Sequence, residues 1–135
     1  MDEVSKAKKG FETLALPKKY KQEAIKNLSV WLTKAEFKEY APQLKHLIRT
    51  QQWSEILDAF YKVISFGTGG RRGPVGMGPN RINKWTVQAS AQGHSQYLIK
   101  KHKHLAQQRG IVIAYDVRQY IPPGIYDDNL YNPVK

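Results

Sequence analysis

The sequence predicts an α/β fold, with a helical segment over residues 1–62 and a strand–helix–strand unit over residues 63–135. Three observations predict it. Apolar residues recur at three- and four-residue spacing through the first half, as on the buried face of helices. Val63-Ile64-Ser65-Phe66 and Ile111-Val112-Ile113-Ala114-Tyr115 are rich in β-branched and aromatic side chains, as strands are. Between them lies a long helical stretch, and strand, long helix, strand is a βαβ-like unit that argues for an α/β sheet.

In the helical segment, Leu28, Trp31, Leu32 and Ala35 form one apolar stripe, and Ile56, Leu57, Phe60 and Val63/Ile64 form another. Two or three short helices are expected, with Met1 to about Leu16 loosely ordered. Thr33 and Glu36 have capping-box spacing, Pro42 suits a first helical turn, and Ser54 is an expected cap. Trp31, Trp53 and Trp85 lie on helical faces and read as core.

The second half opens with the strand ending at Phe66, followed by a loop or hairpin over Gly67–Pro79. Asn83 is the expected N-cap of a helix from Lys84 to about Gln108, ended by Gly110. On that helix Val87, Ala91, His94, Leu98 and Leu105 share a face, so His94 reads as a core histidine. Gly93 costs helix propensity, and a close backbone approach would explain it. The run Ile111–Tyr115 is expected to be covered on both sides. Asp116 and Arg118 then fall at the C-terminal end of a strand, where open α/β sheets place ligands. Gln119–Lys135 reads as a Pro-rich loop.

The chain has 135 residues and no cysteine, which excludes disulfides and thiolate metal sites. No run reaches the roughly 18–20 apolar residues of a membrane span, and the N-terminus lacks the apolar core of a secretory signal. No membrane partner is therefore expected, and a cytoplasmic location is. The formal net charge of +11 favours anionic partners, whether polyanion or small phosphorylated metabolite. His102 and His104, two apart on a helix beside lysines, suit a solvated basic helix end better than a metal site.

The segment from Phe66 to Asn83, FGTGGRRGPVGMGPNRIN, holds six glycines and the adjacent pair Arg71-Arg72. Glycines let backbone approach a ligand closely, and guanidinium groups match phosphate oxygens, so an anionic ligand is expected. The segment fits neither a P-loop, since Pro79 follows Gly78, nor a dinucleotide fingerprint. Gly70-Arg-Arg-Gly73 has the form of a GXXG nucleic-acid clamp. A glycine-rich hairpin with solvated arginines remains open, as does Asp116-x-Arg118 as a local ion pair. No nucleophile–base pair and no metal-ligand cluster can be assembled, so no catalytic or metal residue is assigned.

FGTGGRRGPVGMGPNRIN, the long helix with Gln92-Gly93, and RGIVIAYDVR together resemble the α-D-phosphohexomutases, in the phosphoglucomutase/phosphopentomutase branch. Those enzymes read FGT, a small residue, GLRG, a glycine-rich turn, NRMN, a helix and GVVIGYDSR. The likeness is specific from Phe66 to Arg118 and loose before it. It implies an incomplete first domain, a mixed sheet with a long crossover helix, of a multidomain cytosolic mutase. Such an enzyme moves a phosphoryl group between hydroxyls of a sugar phosphate through a phosphoserine and a sugar bisphosphate. The family's GLRG arginine falls on Arg72, Thr68 and Gly69 match the turn presenting it, and Arg118 matches the YDSR segment at the same cleft. Arg71 replaces the family's leucine and is expected either to turn to solvent or to add charge to the cleft. The catalytic serine loop and the Mg²⁺-binding aspartates are not found, so the chain alone is expected to be inactive. The implied partners are a phosphorylated sugar and the remainder of the mutase, or another copy, over the sheet edges. The competing reading is a stand-alone basic phosphate- or nucleic-acid-binding module.

Overall fold

The computed structural model describes residues 2–115, 120 and 124–134. Its first half is a four-helix cluster: α1 (Glu3–Glu12), α2 (Lys18–Thr33), α3 (Ala41–Arg49) and α4 (Trp53–Phe60), with a 3₁₀ turn at Ala35–Phe37. Of the predicted apolar stripes, Leu28, Trp31, Ile56, Leu57, Phe60 and Ile64 are buried, as are Leu44 and Ile48, whereas Ala35 and Val63 are exposed. Trp31 sits at the centre, stacked on Phe37 and edge-on to Tyr40 and Phe60. Trp53 and Trp85 pack against this core from its margin.

The start of the chain is not loosely ordered. Asp2 caps α1 by accepting from the Ser5 N–H, and Ala7 and Phe11 are completely buried. Gly10 explains the packing, because the indole of Trp53 occupies the space a Cβ would need. Two expected helix starts also shift. Thr33 is the last residue of α2 and donates its hydroxyl to Ser29 O, so it back-bonds and caps nothing. Ser54 lies inside α4, whose N-cap is Gln52. Pro42 does sit in the first turn of α3.

The second half departs further from expectation. Strands β1 (Phe66–Gly67) and β2 (Gly70–Arg71) form a short antiparallel hairpin, pairing Phe66 with Arg71 and Gly67 with Gly70. The chain before Phe66 is not a longer strand, although Ile64 is buried and its N–H donates to Pro79 O. Ile111–Tyr115 forms no strand, and Val112 and Tyr115 are 98% and 89% exposed. A strand needs a hydrogen-bonding neighbour, and among the described residues none lies beside this run. Among the described residues the predicted βαβ sheet is thus replaced by helices and a two-stranded antiparallel hairpin, a mostly helical arrangement broadly compatible with α/β.

Helix α5 (Lys84–His102) begins at Asn83 as expected, through a capping box with Thr86. It stops at Lys103, whose positive φ of 47° breaks the helix, and α6 (His104–Arg109) follows and ends at Gly110. Its anticipated apolar stripe is not buried. Val87, Ala91, His94 and Leu105 are exposed, so His94 is no core residue, and a Cβ added to Gly93 would meet open space among the described residues, so no close backbone approach explains that glycine. His102 and His104 are exposed at the basic helix end.

The C-terminal segment folds back on the cluster. Gln43, with no exposed surface, receives the Asp127 N–H on its Oε1 and donates its Nε2 to Asp127 O and Leu130 O. Tyr126 is buried in the core.

Candidate functional site: the glycine-rich hairpin

The hairpin loop is held from two sides. On one side, Arg71 donates its Nε to Ser90 Oγ (2.8 Å) and its Nη1 to Ile64 O (2.6 Å), fastening β2 to α5 and to the end of the helical cluster. The side chain is half-buried, so it neither turns to solvent nor joins Arg72. Sequence reasoning offered only those two outcomes. A long arginine stem with a forked head can cover apolar surface and still reach internal acceptors, which leucine cannot.

On the other side, residues 73–83 fold against α4. Ile82 donates to Pro74 O and Gly76 donates to Ile82 O, closing the segment on itself. Asn83 Nδ2 donates to Gly76 O and Gly78 O while its Oδ1 accepts from the Trp85 and Thr86 N–H groups. Gly78 has φ of 110°, and a Cβ there would lie 2.5 Å from Ala59 O, so backbone packs on backbone at this point.

Arg81 anchors this side and was missed in the sequence. Its side chain is 3% exposed and reaches Glu55 (2.8 Å) and Asp58 (2.7 Å) on α4. Burial opposes its charge, but the Glu55 and Asp58 carboxylates outweigh that and hold the guanidinium above its ordinary range. Its partners stand more than twenty positions earlier in the chain, so no local pattern could have paired them.

What remains unpinned is the tip. Thr68, Gly69 and Arg72 are exposed and line a concavity of about 240 Å³ with Ser65, Gly67 and Gly70. Among the described residues Arg72 has no ion pair. The structure therefore brings together Thr68, Gly69 and Arg72, and sets Arg71 behind them as a brace. Arg118, like Asp116, lies outside the described residues. A guanidinium with no ion pair among the described residues, beside glycine backbone in a small hollow, can accept a phosphate-sized anion. No three His, Asp or Glu side chains gather into a metal site among the described residues. No described helix is long and apolar enough to cross a membrane.

Comparison with known proteins agrees with the resemblance carried by these residues. The chain is 37% identical to mouse (Mus musculus) phosphopentomutase over 81 residues, 60% of this chain and 13% of that protein. It is 37% identical to a phosphoglucomutase of Staphylococcus aureus (strain bovine RF122 / ET3-1) over 75 residues, 56% of this chain and 13% of that one. Over these stretches the chain is similar to phosphohexomutases. Human (Homo sapiens) phosphopentomutase is similar at 36% identity over 60% of the chain, again 13% of the relative. The chain thus spans 13% of the length of each of these mutase relatives. No protein-family model matches it. No solved structure matches it.

Proposed function

We propose that this chain supplies the phosphate-holding hairpin of a sugar-phosphate mutase, an intramolecular phosphotransferase acting on a hexose or pentose phosphate. The observation that carries the proposal is Arg72, exposed at a glycine-built hollow with no ion pair to another described residue. The mutase names of its relatives favour this reading over a stand-alone basic module.

In such an enzyme a phosphoserine gives its phosphoryl group to the sugar phosphate, and the resulting bisphosphate returns one after reorienting. Catalysis of this kind rests on positioning and on neutralising phosphate charge. Arg72 would hold phosphate oxygens through paired N–H donors, and the Thr68-Gly69 turn would let the ligand approach the backbone. Arg71, fixed to Ser90 and Ile64, would keep the hairpin oriented. Arg118 would add a second cationic contact at the rim.

Mg²⁺ would serve the whole enzyme as an electrostatic partner of the phosphoryl group. The described side chains do not fit it, so no residue of this chain is assigned to the ion and no step is derived through it. The phosphoserine and the metal-binding aspartates would be supplied by other parts of the mutase, leaving the 135-residue chain inactive alone. The bare run Ile111–Tyr115 supports cover by the remainder of that mutase or by another copy. The proposed location is the cytosol.

The test is a titration of this chain with a hexose bisphosphate and a pentose bisphosphate, followed by Arg side-chain NMR. Arg72 is expected to respond, and Arg72→Ala to weaken binding by about tenfold or more. In the whole mutase the same substitution should lower kcat/KM by about a hundredfold or more. Unchanged binding and unchanged turnover would remove Arg72 from the phosphate site.

A further inference from the structure

We propose that the concavity between α1 and α2 is a second anion site, for a small organic ligand carrying clustered phosphates, such as a nucleoside diphosphate. This hollow has a volume of about 460 Å³, within the range of small-molecule sites, and shares no residue with the hairpin hollow. Four lysines, Lys8, Lys18, Lys21 and Lys26, line it with a single carboxylate-bearing residue, Glu12. That carboxylate is already engaged by Lys21, whose Nζ lies 3.4 Å from Glu12 Oε2 and 3.5 Å from Glu12 O. Lys21 is thereby held in the wall with only 13% of its side chain exposed. Lys26 reaches Glu23 at 3.9 Å, outside the hollow, while Lys8 and Lys18 have no ion pair among the described residues.

Like charges gathered round one hollow repel, and a polyanion placed among them converts that repulsion into attraction. The half-buried Ile25 and the alkyl stems of the lysines form an apolar base that seats the organic body of the ligand. Lysine suits the phosphates because each ammonium is a mobile point charge that adjusts to the oxygen it meets. Charge complementarity thus selects the phosphates, and the apolar base selects against a bare inorganic ion. The same chemistry is offered by a free nucleotide and by a polyphosphorylated lipid headgroup.

The test uses the full chain and three probes: inorganic pyrophosphate, ADP, and vesicles of phosphatidylcholine with and without a phosphatidylinositol bisphosphate. ADP or the phosphoinositide vesicles should bind more tightly than pyrophosphate and shift the NMR signals of Lys8, Lys18, Lys21 and Lys26. Which of the two binds assigns the source. Lys8→Glu combined with Lys18→Glu, both exposed positions, should weaken that binding by about tenfold or more, while Arg72→Ala leaves it unchanged. The proposal is overturned if neither probe binds, or if pyrophosphate binds as tightly as ADP and the phosphoinositide vesicles do. It is equally overturned if Lys100→Glu with Lys101→Glu weakens binding as much, since net charge alone would then explain it. Loss with Arg72→Ala instead would return the ligand to the hairpin.

Discussion

Arg71 and Arg72 are neighbours with opposite surroundings: the first donates to Ser90 Oγ and Ile64 O, the second faces the hollow beside Thr68. Arg71 ends β2 and is held by partners on α5 and before β1, whereas Arg72 is the first residue beyond the strand. The contrast between a braced arginine and one with no ion pair among the described residues was not legible in the sequence, where both count as cations. Asp127 shows a second residue-scale effect. Its carboxyl is held below its ordinary value of 3.8, first by the Asn129 N–H and then by the Asn129 side chain, with His46 and Arg49 adding to it and burial opposing. A folded value below the unfolded one means this carboxylate contributes stability above the ordinary value and loses it as pH falls through the folded one. Acidification below about pH 4 should therefore loosen the C-terminal segment. The Asn129 amide should report it by NMR, and Asp127→Asn should flatten the dependence. An Asn129 signal that ignores pH would count against the pairing.

At the scale of elements, Asn83 links the glycine-rich loop to α5. It caps the helix with one oxygen and ties Gly76 and Gly78 with its Nδ2. Removing it would cost a cap, about 1 kcal/mol, and leave two carbonyls without their donor. Asn83→Ala should lower stability by roughly 2–4 kcal/mol in chemical denaturation, with helicity falling from the α5 end. A change below about 0.5 kcal/mol would show that water replaces those bonds. The cap was legible because Asn83 precedes a helix-forming run and N-capping is local chemistry. The end of α5 was not, because the break at Lys103 is a backbone turn that no glycine or proline marks. The strand Ile111–Tyr115 failed as an expectation for a different reason. Its composition favours a strand, but a ladder requires a neighbour, and composition says nothing about where a neighbour lies.

For the whole molecule, the buried set runs from Ala7 to Tyr126, so the first helix and the C-terminal segment share one core with α2, α3 and α4. Phe11 has no exposed surface in that core, and Phe11→Ala should destabilise the chain by about 3–5 kcal/mol in thermal or urea unfolding. A loss under about 1 kcal/mol would mean that α1 is dispensable to the core. The sequence by itself determined the apolar faces of the central helices, the glycine-rich turn, the Asn83 cap and the likeness to mutases, because each is written in neighbouring residues. Only the tertiary structure decided that α1 is core and that Arg81 is spent on Glu55 and Asp58. It alone separated Arg71 from Arg72, since each depends on partners brought together from distant parts of the chain.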